Sequence, residues 1–223
     1  MKKVYYWIVA LILLTAVITG IFLEIAPDTI PAHYDLQGQV DRMGSKYEFL
    51  LFPFINLLFG AFMAWLARLE GTAGRDQNER IVGIMTLWVL LLFNGMFVFF
   101  MRKALSQAQT LWELGALGEK TLLLLLMASL IPIGNLMPKA ERNSIFGLRT
   151  KWSMANDRCW QQSQRLGGFA AVILGLLGVV LTSLCPVRWG GYISLAIIGI
   201  LLVVSLWGSY RIWREDAKQQ VDL

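Results

Sequence analysis

The sequence has 223 residues, 57% hydrophobic and 16% charged, with a net charge of +5. A soluble domain carries about 25% charged residues, so this composition argues against a soluble enzyme and for apolar surface that faces lipid. The positive balance does not point to nucleic acid, because the basic residues lie between apolar runs, where the Lys and Arg bias of cytoplasmic loops accounts for them.

Apolar runs of spanning length occupy 4–26, 48–69, 81–101, 119–138, 166–187 and 191–213. Each is about 20 residues, which at ~1.5 Å per residue matches a hydrocarbon core of about 30 Å. Backbone groups in lipid must bond within their own segment, so these runs are helices. The expectation is an all-α membrane protein of six transmembrane helices, with one structured extracellular loop and one structured cytoplasmic loop. With the N-terminus inside, 14 of the 20 Lys and Arg residues are cytoplasmic. That puts both termini in the cytoplasm. Met1-Lys2-Lys3 ahead of the first run has the look of a signal peptide, but the run is long enough to span and no small-residue cleavage site follows it. It reads as a retained first helix.

The first connection, 27–47, holds Pro27, Ile30-Pro31, Gly38 and several Asp residues. Ile30 before Pro31 is biased to an extended conformation, and Gly and Asp favour turns. It reads as a structured extended loop with a turn. His33 with Asp35 and Asp41 offers metal-ligand chemistry, but no helical or Cys-x-x-Cys spacing supports a site, and hydrogen-bonded structural roles fit better. No metal or other cofactor is expected. Asn56 and Asn94 fall within spans two and three, where each is expected to bond across helices. Glu70 to Arg80, with Gly71 and Gly74, reads as a solvated cytoplasmic turn. Trp112 reads as an interfacial anchor.

Span four closes on Gly134-Asn135-Leu136-Met137-Pro138-Lys139, and a basic loop with Asn143 and Gly147-Leu148-Arg149-Thr150-Lys151-Trp152 follows. Asn135 stands where a bare amide is costly unless bonded. Pro138 ends the helix and Gly147 permits a turn. Ser153 is expected to cap a short interfacial helix, Met154 to Arg165, that leads into span five. Gly167, Gly168, Gly175, Gly178, Gly191, Gly199 and Gly208 allow close helix approach. Cys159 and Cys185 fall at opposite membrane faces and imply no disulfide. A three-plus-three arrangement of inverted halves is compatible with the span count, although the halves share no residue pattern.

Two motifs in this chain resemble the SdpI family of bacterial membrane immunity proteins. The later one is carried by Gly134, Asn135, Pro138, Lys139, Asn143, Gly147, Leu148, Arg149, Thr150 and Trp152. Lys151 stands where that family usually has Pro. The earlier one is carried by Pro27, Ile30, Pro31, His33, Tyr34, Gly38, Asp41 and Lys46. The resemblance implies a multi-pass protein of the bacterial cytoplasmic (inner) membrane, a binder rather than an enzyme, that protects its host from a secreted peptide toxin. It further implies possible partners of two kinds, a peptide toxin at the outer face and a cytoplasmic transcriptional repressor at the inner face, beside the lipid bilayer itself. Candidate binding or signalling residues are then Asn135, Pro138, Lys139, Asn143, Gly147, Arg149, Thr150 and Trp152 inside, and Pro31, His33, Tyr34, Gly38, Asp41 and Lys46 outside. The chain divides on this reading into an N-terminal module (1–69), a third span with its flanking loops (70–118) and an SdpI-like module (119–223, with cytoplasmic loop 139–165). The alternative is a membrane transporter, or a protein or enzyme acting on lipid head groups through Asn135, Lys139, Glu141, Asn143 and Arg149. Against coupled transport, Glu24 and Glu119 lie near span ends rather than mid-membrane.

Overall fold

The structure is a computed structural model that describes residues 2–35, 38–110 and 115–221, except for the side chains of 115–119, 220 and 221. Trp112 and the Glu119 side chain lie outside the described residues. Among the described residues six α-helices form the framework: α1 (Lys2–Ile25), α2 (Leu51–Thr72), α3 (Asp76–Leu105), α4 (Gly115–Leu136), α5 (Asp157–Leu184) and α6 (Gly190–Val221). All six expected spans are present, and each is long and apolar enough to cross a membrane. The helices outrun their apolar stretches. α3 and α6 have 30 and 32 residues, which at ~1.5 Å per residue is about 45 Å or more. Their ends therefore reach beyond a hydrocarbon layer of about 30 Å.

The chain forms two compact units, one of Met1–Trp65 with Gly83–Leu125, the other of Leu66–Val82 with Leu126–Leu223. In the first, α1 stops at Ile25 just before Pro27, and the expected extended loop is an antiparallel hairpin. Its strands are β1 (Thr29–Tyr34) and β2 (Val40–Ser45), with irregular register around His33. A 3-10 turn (Lys46–Leu50), capped by Ser45, leads into α2. The hairpin buries Ile30 on Phe22, Ala26, Phe49, Phe97 and Ala104. Phe22 and Phe49 have ring centroids 4.3 Å apart, and Phe52 and Phe97 5.0 Å. Each such pair adds about 1 kcal/mol beyond the area it buries. Deeper along the helices, the Thr15 hydroxyl donates to Asn94 Oδ1 (2.7 Å) and accepts from Asn56 Nδ2 (2.9 Å). The two asparagines do bond across helices, and both do so through a threonine on α1.

In the second unit, the turn between α2 and α3 is exposed at residues 72–74, Asp76 and Gln77, as expected, but it folds over a buried carboxylate. Glu70 is buried, and its carboxylate accepts from Arg75 Nε (2.6 Å) and Asn78 Nδ2 (3.1 Å). A buried carboxylate is tolerated when its lone pairs are filled in this way. Gly134 of α4 faces Gly168 of α5 so closely that a Cβ on Gly134 would lie 2.4 Å from the Gly168 carbonyl oxygen. Gly167, Gly168, Gly175, Gly178 and Gly208 all face neighbours at close range, whereas Gly191 and Gly199 have nothing within 4 Å and serve no such approach. Two further expectations are corrected. Asn156, not Ser153, caps α5, accepting from Cys159 N at 2.8 Å. The separate helix over 154–165 does not exist, because α5 runs unbroken from Asp157 to Leu184. Ser153 is drawn away from capping by Leu148 and Thr150, as described below.

Candidate functional site

Two regions gather the residues that the sequence singled out, one in each unit. In the hairpin, Asp35 makes the tip: its carboxylate accepts from Gln39 N (2.8 Å) and its carbonyl from Gly38 N (2.9 Å). Gly38 has φ +78°, a conformation that carries no Cβ penalty only in glycine. His33 Nδ1 and Asp41 Oδ1 face each other across the strands at 2.6 Å, both exposed. Asp35 is committed to the tip, so the three do not converge. Among the described residues, no group of three or more His, Cys, Asp or Glu side chains is arranged to hold a metal. Tyr34 Oη donates to the Ala108 carbonyl (3.1 Å) and Lys46 pairs with Asp28 (3.0 Å), which tie the hairpin to its base.

Sequence reading missed the bidentate pair of Arg42 with Glu48, at 2.9 and 2.8 Å. Hydrogen bonding to Glu48 and its charge hold the Arg42 guanidinium above its ordinary value. This pair stands at the rim of a cavity of about 300 Å³ lined by Ile30, Pro31, Ala32, Phe49, Phe52 and Phe100 among others. Pro31 and Tyr34 both contribute to the lining. The cavity is apolar with a charged edge, a form suited to a bulky apolar side chain.

In the second unit, α4 ends at Leu136 and a 3-10 turn, Met137–Lys139, carries Pro138. Loop residues 140–156 then fold around buried polar side chains. Asn143 Oδ1 accepts from the backbone N–H groups of Ile145 and Phe146 (both 2.8 Å), and its Nδ2 donates to the Glu141 carbonyl (2.7 Å). From α5, Gln164 accepts from Leu148 N and donates to Leu148 O, both at 2.9 Å. Trp160 Nε1 donates to the Ala140 carbonyl at 2.7 Å. Trp160 and Gln164 are fully buried. Gly147 passes over them at φ +108°, where a Cβ would lie 2.6 Å from Gln164 Oε1. Ser153 Oγ donates to Leu148 O (2.7 Å) and accepts from Thr150 N (2.9 Å), which is why it is not a helix cap. Thr150 Oγ1 reaches Ser209 of α6 (3.1 Å), and Trp152 packs edge-on to Tyr210 at 5.2 Å.

Asn143, Gly147, Thr150 and Trp152 therefore build the loop. What remains outward is Asn135, Pro138, Lys139, Glu141, Arg149 and Lys151, all exposed. Arg149 spends one N–H on the Ser144 carbonyl, which leaves most of its planar donor set outward. Lys151 Nζ lies 5.4 Å from the Trp152 ring centroid. Beside the loop, Arg75, Glu141, Arg142, Asp157, Trp160 and Gln161 line a charged cleft of about 360 Å³. Asn78 Oδ1 accepts from Glu141 N (3.0 Å) behind the cleft, and Arg142 pairs with Asp157 on its wall (3.0 Å). Hydrogen bonding to Glu70 and its charge hold the Arg75 guanidinium above its ordinary value. The buried partners Gln164, Ser153 and Asn78 were not foreseen.

Residues 139–209 match the model of the SdpI/YfhL protein family. Residues 10–57, which cover most of α1, the hairpin and the start of α2, match that of a domain of unknown function, DUF1648. The chain is 32% identical over 85 residues to the immunity protein SdpI of Bacillus subtilis (strain 168), a stretch that covers 37% of this chain and 39% of that protein. No solved structure matches the chain.

Proposed function

We propose, from the match of residues 139–209 to the SdpI/YfhL protein family, that the chain is an immunity protein of the bacterial cytoplasmic membrane. It protects its host against a secreted antimicrobial peptide by binding it rather than by catalysis. The observation that carries this reading is the match of residues 139–209, which hold the basic loop, to the SdpI/YfhL family, beside 32% identity over 85 residues to a relative named an immunity protein. The hairpin supports a peptide-facing role on the outer side: the apolar cavity with the Arg42–Glu48 edge suits a membrane-active peptide that presents apolar and charged side chains together. On the inner side, exposed Lys139, Arg149 and Lys151 offer cations to a cytoplasmic partner, for which a transcriptional repressor is the proposal. A peptide that binds two states of the protein unequally would change how that loop is presented.

The test is survival of a peptide-sensitive bacterium that expresses the chain and is exposed to a secreted membrane-active peptide toxin. His33→Ala, Ala32→Trp and Arg149→Ala are compared with wild type at equal membrane levels. His33 and Arg149 are exposed, and Ala32 lines the cavity, so each change alters a surface rather than a core. Protection should fall at least tenfold for Ala32→Trp. Arg149→Ala should preserve protection while weakening any loop-dependent signal. Equal survival with and without the wild-type chain, at good expression, would overturn the proposal. Glu141→Gln separates the runner-up, an enzyme or binder acting on head groups in the charged cleft: it should leave protection intact.

A further inference from the structure

α5 and α6 form an open, shallow groove on the surface of the second unit. It has a volume of about 650 Å³ and is lined by Leu166, Phe169, Ala170, Val204 and Ile212, with Gln162 and Arg165 also on its wall. The two helices meet at its base, where Gly208 sits against Leu166 so tightly that a Cβ would lie 2.6 Å from Leu166 Cδ2. Arg165 immediately precedes the apolar run of α5, so its guanidinium stands at head-group depth while Leu166, Phe169 and Ala170 continue into the hydrocarbon. Gln162 is one turn away on the same face, since residues three apart on a helix are neighbours.

Two other cations on these helices are engaged. Arg158 pairs with Asp216 (3.5 Å), and Arg211 pairs with Glu215 (3.3 Å) and lies 5.0 Å from the Trp207 ring. Arg165 has no ion-pair or hydrogen-bond partner among the described residues, and its side chain is exposed. An unpaired guanidinium at the polar end of an apolar groove in a membrane span is complementary to one molecule class present at that depth. We propose that the groove is a binding site for an anionic phospholipid. Arg165 holds the phosphate through paired N–H donors. Gln162 donates to a head-group oxygen, and one acyl chain lies between Phe169 and Val204.

The experiment is native mass spectrometry of the full chain released from detergent micelles after titration with phosphatidylglycerol, phosphatidylcholine or inorganic phosphate. One phosphatidylglycerol should be retained in preference to phosphatidylcholine. Arg165→Gln should weaken that retention about fivefold, the scale of one cation near an anionic head group. Ala170→Phe, which keeps the guanidinium and fills the groove, should weaken it comparably. Arg188→Gln, an exposed cation outside the groove, should not. Equal retention of the two lipids, or wild-type retention by both groove variants, would reduce the groove to ordinary lipid-facing surface. Displacement by inorganic phosphate alone would make it a free-anion site, and a lipid-sensitive dimer would assign it to a second copy. Either result overturns the proposal.

Discussion

At the scale of single residues, the basic loop separates side chains that build it from side chains that it displays. Gln164 is fully buried and fills both the donor and the acceptor of Leu148. Replacing it leaves the Leu148 N–H without a partner, at about 1–3 kcal/mol, while the Leu148 carbonyl keeps the Ser153 hydroxyl. Arg149 is exposed and gives one bond to a backbone carbonyl, and surface changes of that kind stay within about 0.5 kcal/mol. Gln164→Leu should therefore lower stability by about 1–3 kcal/mol and open the loop to protease, with Arg149→Ala close to wild type in both. Unfolding in mixed micelles and limited proteolysis read these effects. Equal losses from the two variants would mean that Arg149 is part of the scaffold. The same distinction governs the interpretation of functional mutants: a lost function in Asn143, Gly147 or Thr150 variants reports a collapsed loop, whereas one in Lys139, Arg149 or Lys151 variants reports a lost surface.

At the scale of elements, helix contacts in the second unit depend on where glycine stands, not on how many there are. A Cβ on Gly168 would lie 2.5 Å from the Gly134 carbonyl oxygen and 3.0 Å from Pro138 Cδ, while Gly199 has open space around it. Gly168→Ala should cost about 1–3 kcal/mol through overpacking. Gly199→Ala should be neutral or stabilising by up to about 1 kcal/mol, the difference in helix propensity. Thermal midpoints in detergent decide it, and a harmless Gly168→Ala would refute the close crossing. Sequence alone could not sort these glycines, because both kinds sit in equally apolar runs. Hydropathy did reveal all six helices, since a span needs only length and composition. Pairing is another matter: Pro31 inside a strand masks the hairpin, whose partner strand is polar and bears few β-branched residues. The start of α5 was misplaced for a related reason. Ser153 and Asn156 are both good capping types, and the choice between them is made by Leu148 and Thr150, which engage Ser153 from outside the helix. Gln164 hides in a run of polar residues, but its spacing of four from Trp160, continuing to Gly167, Gly168 and Ala171, marks one buried helical face.

At the scale of the whole molecule, loop charge bears on which side of the membrane each connection occupies. The charge bias of 14 in 20 Lys and Arg residues towards one set of loops favours an inside N-terminus. Lys103, of the smaller set, is buried in the folded protein and donates to the Thr110 carbonyl at 3.0 Å. Loop cations that remain exposed in the other set include Lys139, Arg142, Arg149, Lys151 and Arg158. Their concentration in one connection gives the orientation its strongest single determinant, because short loops near span ends carry the most weight in topology. A cysteine scan tests it in a background with Cys159 and Cys185 replaced by serine. Met43→Cys, on an exposed position of β2, should react with a membrane-impermeant maleimide on intact cells. Lys151→Cys should react only after the cells are opened. Labelling of Lys151→Cys in intact cells would invert the protein, and with it the faces assigned to the peptide and to the cytoplasmic partner.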